Sequence, residues 1–443
     1  MGKAPSLADD FGLYRRRIGT VPNGQDARGV DLIFGLALLG TLYLLARRWR
    51  RLWDPDFTDE DRRLATQAAV FVVPPLVVLV HELGHVVGAR LVGGRVLGFH
   101  YGLIEGAVTV ARGLSLGQDW WVALAGNLAG GLAGLAMAAV GVSATRLPRP
   151  LRHVLILGGM LEVGFHLVIY PLLSLSAGFG DWQVVYDFGA TPALSLLTAT
   201  AHLAALAAAW RWWRTRVRRA LFNVDHGLDA DVARLETAIA AAPHDPEPAI
   251  ELAVLYAGNG EMSLGRDTLE AAASRPGLTG PGAARLHLVR ARLAMIEDRW
   301  NQAYLAAQAG LRAVGVSVSD DGGRDGDGGE DEVAQRLWAN VGLALAAMDR
   351  PEKALAAFGH LRPPVADDPR VLYARGLARM SVGDRAGGQA DLHSVVGWRP
   401  EGDLLRQWAE ARLRGGEPPP PDDRDRPSYA RRTKAPPAPL AGV

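Results

Sequence analysis

The chain has 443 residues, 49% of them hydrophobic, with 48 Lys and Arg against 47 Asp and Glu and no cysteine. That length allows two or three domains, and a slightly positive mean hydropathy is high for a wholly soluble protein, so part of the chain belongs in lipid. The lack of cysteine excludes disulfides, thiolate catalysis and Cys-ligated zinc, leaving His, Asp and Glu as metal ligands, and a net charge of +1 gives no footprint for nucleic acid.

Residues 1–28 are polar and read as a mobile tail, and 29–220 as a membrane domain. The first apolar run, Val30 to Ala46, lacks a following small-residue cleavage site and reads as a membrane helix stopped by Arg47, Arg48, Arg50 and Arg51. A second span runs from about Ala65 to Val92, with Pro74-Pro75 predicting a kink that would admit water. It carries His81-Glu82-Leu83-Gly84-His85. Histidines at i and i+4 project from one helix face and can reach a single Zn²⁺, while Glu82 is placed to take a proton from water. Ionisable groups at membrane depth are costly, so their presence points to function, against a plain pair of hydrogen-bonded core histidines.

Residues 93 to 117 are too broken by Gly and charge to span, and Arg95-Val96-Leu97 with Ala107-Val108-Thr109-Val110 suits a β-hairpin. A third span, Trp120 to Val142, places Gly126, Gly130 and Gly134 at small-xxx-small spacing, read as helix packing. A fourth, Leu151 to Ala177, holds Glu162 and His166 on one face, read as roles around the metal or mutual hydrogen bonding. A fifth, Thr191 to Trp210, ends in the Trp- and Arg-rich 211–219, an interface anchor. With five spans, the Arg runs put the C-terminal half in the cytosol and leave the side on which the site opens undecided.

HELGH ending an apolar helix, then Gly93-Gly94-Arg95-Val96 and a β-like stretch, then Ala125-Gly126-Asn127 opening another apolar helix, resembles the site-2 protease family of intramembrane zinc metallopeptidases, in its bacterial HELGH…GGRV branch. The likeness covers about residues 65 to 190. It implies zinc held by His81 and His85, Glu82 as general base, and a strand beside the site whose free edge takes an extended substrate. It also implies a third ligand from a carboxylate further on. Asp181, in Gly178-Phe179-Gly180-Asp181-Trp182, is the first choice, although the family's Asn-Pro and the Gly after its Asp are missing; Asp187, Glu162, His166 and Asp119 are the alternatives. The family places an Asn near a Gly-Pro in the third span. Here the Pro is absent, and Asn127 is either an oxyanion donor or an interhelical hydrogen bond.

Residues 221–245 read as a linker. From 246 to 412 a repeat of about 34 residues emerges, in which Gly342, Ala354 and Phe358 recur as Gly376, Gly388 and Leu392, so the region resembles tetratricopeptide repeats, about four helix pairs. Such a solenoid binds a peptide or partner helix. The acidic stretch within 315–332 reads as a disordered insertion, not a calcium loop, and 413–443 as a Pro-rich disordered tail.

The expectation is therefore a mainly α protein: a polytopic transmembrane metalloprotease domain with a short β-hairpin, then a soluble helical-repeat solenoid. It would be an integral protein of the bacterial cell membrane with cytoplasmic repeats. It would cleave membrane-anchored proteins recruited by those repeats, without nucleic-acid partners. The rivals are an inactive membrane scaffold acting through the repeats, and a metal transporter using Glu162, His166 and Asp181, disfavoured by the lack of an inverted repeat.

Overall fold

The computed structural model describes residues 16–18, 26–54, 56–111, 113–318, 324–325 and 332–416. The chain divides into two compact units at Ala230/Asp231.

The first unit opens with strand β1 (Arg16–Ile18), inside the stretch read as a tail, and helix α1 (Asp26–Arg48). Helices α2 (Asp59–Phe71) and α3 (Val73–Leu91) follow. A capping box starts α2: the Thr58 side chain accepts the Asp61 N–H while the Asp61 carboxylate accepts the Thr58 N–H at 3.1 Å. The break at Val72, with Pro74 and Pro75 in the first turn of α3, is the expected kink, since proline withholds backbone donors. Strands β2 (Val96–Tyr101) and β3 (Gly106–Val110) form the expected hairpin, and β1 adds to it in the order β1-β3-β2, all antiparallel. The Tyr101 hydroxyl donates to the Pro75 carbonyl at 2.7 Å, tying the sheet to the head of α3.

Helix α4 (Leu116–Ser143) begins at a second capping box, Ser115 with Gln118, whose side-chain amide also donates to the Val92 carbonyl at the end of α3. Next come α5 (Arg149–Gly164), a wide π-turn over Phe165–Ile169, α6 (Tyr170–Ala177), the five-residue α7 (Asp181–Val185), α8 (Pro192–Trp212), a second π-turn and α9 (Arg218–His226). Among the described residues, four helical stretches are long and apolar enough to cross a membrane: Asp59–Leu91, Leu116–Ser143, Arg149–Ala177 and Pro192–His226. Five spans were expected, and α1, over the first of them, is not among these four. On α3 the residues Leu76, Val80, Leu83, Val87 and Leu91 form an exposed apolar stripe of the kind lipid covers, whereas His81, Glu82 and His85 are buried.

The crossing of α3 with α4 depends on small residues. A Cβ at Gly84 would lie 2.6 Å from Ala129 Cβ and 2.7 Å from the Ala125 carbonyl, and one at Gly88 would lie 2.5 Å from Ala125 Cβ. The glycine within HELGH is thus a packing requirement. Late in the first unit, the fully buried Arg152 donates to the Gly141 carbonyl and to Asp229 at 2.7 Å, and His153 bonds Asp225 at 2.7 Å.

The second unit is helical. After α10 (Asp229–Ala241) come four hairpins: α11 (Glu247–Gly258) with α12 (Met262–Ala273), α13 (Gly280–Ile296) with α14 (Trp300–Ala313), α15 (Glu332–Ala347) with α16 (Pro351–Phe358), and α17 (Pro369–Ser381) with α18 (Arg385–Trp398). Helix α19 (Leu404–Leu413) is the last described element. The four hairpin turns are built alike. Gly260, Asp298, Asp349 and Gly383 each sit at positive φ, and the N–H of the next residue returns to the carbonyl five residues back: Glu261 to Tyr256, Arg299 to Ala294, Arg350 to Leu345, Asp384 to Arg379. This is the Schellman closure of a helix end. The repeated glycines have a shared role too: a Cβ at Gly342 would meet the Phe358 ring at 2.3 Å, and one at Gly376 would meet Leu392 at 3.2 Å. Within the stretch read as an acidic insertion, Ser317–Val318 pairs with Arg324–Asp325; 319–323 and 326–331 lie outside the described residues, as do 417–443 of the expected tail.

Candidate metal centre

The kinked span delivers the two histidines. One turn apart on α3, His81 and His85 turn their Nε2 atoms toward each other at 3.0 Å, with ring centroids 4.7 Å apart. Asp181 arrives from the opposite side, at the first position of α7, after a turn made by Gly178 (φ 72°) and Gly180 (φ 89°), conformations that need glycine. Its Oδ2 lies 3.1 Å from His81 Nε2 and 3.2 Å from His85 Nε2. Among the described residues, His81, His85 and Asp181 form the group of side chains that converge as metal ligands.

Zinc fits this group. Ligand atoms around a tetrahedral Zn²⁺ at ordinary bond lengths stand about 3.3 Å apart, close to the three separations found. The hydrogen-bond chemistry agrees. His85 Nδ1 meets the Val122 carbonyl at 2.7 Å, and a carbonyl only accepts, so that nitrogen carries the proton and Nε2 presents a lone pair. That lone pair faces a carboxylate oxygen, itself an acceptor, which a cation between them reconciles, and the His81 ring nitrogen lies 3.0 Å away on the same point.

Glu82 is buried beside the ligands, and its Oε2 has no hydrogen-bond partner. Strand β3 passes close over it: a Cβ at Gly106 would fall 2.5 Å from Glu82 Oε1, so only glycine lets the strand approach the carboxylate. Asn127 is in the site, its Nδ2 donating to the Ala123 carbonyl at 3.1 Å and to Asp181 Oδ2 at 3.3 Å. Both its N–H groups are engaged, so the expected oxyanion role would require Asn127 to release one of them.

The other carboxylates weighed as ligands stand elsewhere. Asp187 is exposed and accepts the N–H groups of Gly189 and Ala190, a turn-closing role, and Asp119 lies in the first turn of α4. Glu162 and His166 are buried next to the centre without joining it: the His166 ring is 5.5 Å from that of His81, and its Nδ1 donates to the Glu162 carbonyl at 3.0 Å. The glycine stripe of α4, read as helix packing, does more. Gly134 does close on α5, with the Gly159 carbonyl 2.9 Å from its would-be Cβ, but Gly126 and Gly130 seat imidazoles, with His85 and His166 at 2.4 and 2.2 Å from theirs.

Residues 64–221 match the family model described as Peptidase M50B-like. The match supports a membrane metallopeptidase. No curated protein and no solved structure gives a match.

One residue of the site went unread in the sequence. The Tyr170 hydroxyl donates to Asp181 Oδ2 at 3.1 Å and accepts the Asp181 N–H at 3.3 Å. Its sequence signal is the neighbouring Pro171 inside an apolar span, which predicts a local break in the helix.

Proposed function

We propose that the chain is an intramembrane zinc metalloendopeptidase, hydrolysing peptide bonds in or near the spans of membrane-anchored proteins. The observation that carries this reading is the convergence of His81 Nε2, His85 Nε2 and Asp181 Oδ2 to 3.0–3.2 Å beside Glu82, in helices apolar enough to cross a bilayer. His81, His85 and Asp181 would hold the zinc, which when bound polarises the scissile carbonyl and acidifies water. Glu82 takes the proton of the attacking water on its unpartnered Oε2 and passes it to the leaving amine. Asn127 holds Asp181 through Nδ2. Among the described residues the outer edge of β2 has no partner strand, and an extended substrate added there would run beside the sheet that crosses Glu82.

The second unit would recruit the substrate or a partner in the manner of tetratricopeptide repeats, which its four like-built hairpins support. A groove of about 1470 Å³ runs along α13, α15, α17 and α19. In its wall the Arg292 guanidinium has no ion-pair or hydrogen-bond partner among the described residues, and Asn340 Nδ2 is buried without an acceptor, so the groove suits a peptide that supplies acceptors. The Arg-rich 211–219 favours a cytosolic position for this unit in a bacterial membrane.

The test is zinc content by elemental analysis of detergent-purified wild type, Glu82→Gln and Asp181→Ala, alongside cleavage of a panel of single-span membrane proteins. About one zinc in wild type is expected, with Glu82→Gln keeping the metal but losing cleavage, and Asp181→Ala losing both. A metal-replete wild type without zinc would sink the protease reading and leave a scaffold acting through its repeats.

A further inference from the structure

The proposed third ligand sits on a five-residue helix after a glycine turn, yet a metal ligand must hold its position to a fraction of an ångström. What fixes it comes from the neighbouring span. Pro171 has no N–H, so the carbonyl of Leu167, four residues earlier, loses its α-helical partner, and the proline ring presses on that same turn. The helix widens there into the π-turn Phe165–Ile169. Two consequences follow. The Leu167 carbonyl accepts from His202 Nε2 at 2.7 Å, and the other nitrogen of His202 bonds the Tyr186 hydroxyl just beyond the C-terminal end of α7. At the end of the π-turn Tyr170 is buried, stacked on Phe165 (centroids 5.7 Å, planes 3° apart), with its hydroxyl on both the carboxylate and the backbone N–H of Asp181. Helix α7 is thereby held at both ends from one distorted turn. The two Asp181 oxygens are treated unequally: Oδ2 receives Tyr170 and Asn127, whereas Oδ1 has no partner.

We propose that Tyr170, presented by the Pro171 π-turn, is the positioning residue that selects and orients Oδ2 of Asp181 as the metal-binding oxygen, with Asn127 as the second arm of the clamp. The inference rests on the metal-site reading above. The phenol does not touch substrate. It donates to the ligating carboxylate, fixes the carboxylate plane and ties side chain to backbone through the same hydroxyl, so that Asp181 cannot turn away without breaking two hydrogen bonds at once. Partners of this kind around a metal ligand change metal affinity by about 10- to 100-fold.

The experiment measures metal rather than turnover. Full-length wild type, Tyr170→Phe, Pro171→Ala and Asp181→Ala are purified in detergent, stripped, and titrated with Zn²⁺ against a chelator, and the visible absorption of the Co²⁺-loaded forms is recorded. Tyr170→Phe keeps the ring and its stacking and loses only the hydroxyl. It is expected to weaken Zn²⁺ about 10- to 100-fold and to change the Co²⁺ band. Pro171→Ala restores the missing N–H, changes no polar side chain of the site, and is expected to move both readouts in the same direction. Wild-type affinity and spectrum in both variants would overturn the clamp while leaving the metal site intact. A wild type that takes up neither ion, or an Asp181→Ala form that binds like wild type, would instead overturn the site reading on which the clamp depends.

Discussion

Gly126→Ala tests the centre through a single methyl group. The added Cβ would lie 2.4 Å from both Cε1 and Nε2 of His85 and 2.8 Å from Cδ2, whereas ordinary contact is 3.4–4 Å, so at least 1 Å must be opened. The imidazole has little room to give, because its Nδ1 is held by the Val122 carbonyl at 2.7 Å and the ring is fully buried. Helix α4 cannot retreat cheaply either, since Gly84 and Gly88 already bring α3 into contact with Ala125 and Ala129. Overpacking of this kind costs about 1–3 kcal/mol. Here it falls on the ligand-competent position of His85, so the expected loss of zinc affinity is roughly 5- to 150-fold. Gly→Ala in a helix otherwise gains about 1 kcal/mol, which Gly164→Ala, with nothing within 4 Å of its Cβ, should show as a plain stabilisation. Gly130→Ala is the decisive companion. Its Cβ would strike His166 Nε2 at 2.2 Å, an equally tight clash against a side chain outside the ligand group, so zinc should stay bound. Chelator competition and thermal unfolding on the detergent-solubilised variants read both quantities. Wild-type zinc affinity in Gly126→Ala, or equal losses at 126 and 130, would refute the assignment of the stripe.

Three further outcomes are expected. Arg152→Ala removes a buried guanidinium from the partly exposed Asp229 and from the Gly141 carbonyl and should destabilise the first unit by about 1–3 kcal/mol, read by denaturant melts; no measurable loss would count against a structural role for the pair. Gly342→Ala drives a methyl into the Phe358 ring at 2.3 Å and should destabilise, while Phe358→Leu in the same chain should return part of the loss; additive effects would show that the two residues do not meet. Burial, with Arg290 and Arg312 nearby, pushes His287 down to about 4 from an ordinary 6.5. The folded state therefore holds it neutral, and its share of stability is present above 6.5 and lost as the pH falls toward 4. The melting temperature of wild type should drop between pH 7 and pH 5 by more than that of His287→Gln, and identical slopes would contradict it.

The convergence of His81 and His85 beside Glu82 was legible because their spacing is local: i and i+4 on one helix says where two side chains point without any tertiary knowledge. The hairpin and four of the five expected spans were legible for the same reason, from period and composition over short windows. Asp181 needed more, since 100 residues separate it from His81, and it emerged only through likeness to a family whose motif it does not fully keep. Tyr170 and the seating role of Gly126 and Gly130 were not legible. A glycine stripe looks the same in sequence whether a helix or an imidazole lies against it, and only the partner surface decides. The helical hairpins of the second unit showed their spacing but not the device behind it, because Asp298 and Asp349 do with a positive φ what Gly260 and Gly383 do, and the pattern is conformational before it is chemical.

The missing Asn-Pro and trailing glycine around Asp181 need not disable the site, because the turn they would supply has another source. Gly178 and Gly180, at φ 72° and 89°, reverse the chain ahead of α7, and Ser174 caps the outgoing helix by donating to the Phe179 carbonyl at 2.5 Å. Gln183 adds a bond from α7 back to the Ser174 carbonyl at 3.0 Å. The orientation a rigid motif would impose on the carboxylate is imposed here by Tyr170, and the proline that makes this possible sits at 171 rather than beside the ligand. A proline and a glycine turn are still paired with the aspartate, all of them ahead of it in sequence, at 171, 178 and 180. Both constraints are therefore present, one on backbone direction from Gly178 and Gly180 and one on carboxylate orientation from Tyr170, and these are what a metal-binding Asp181 would require.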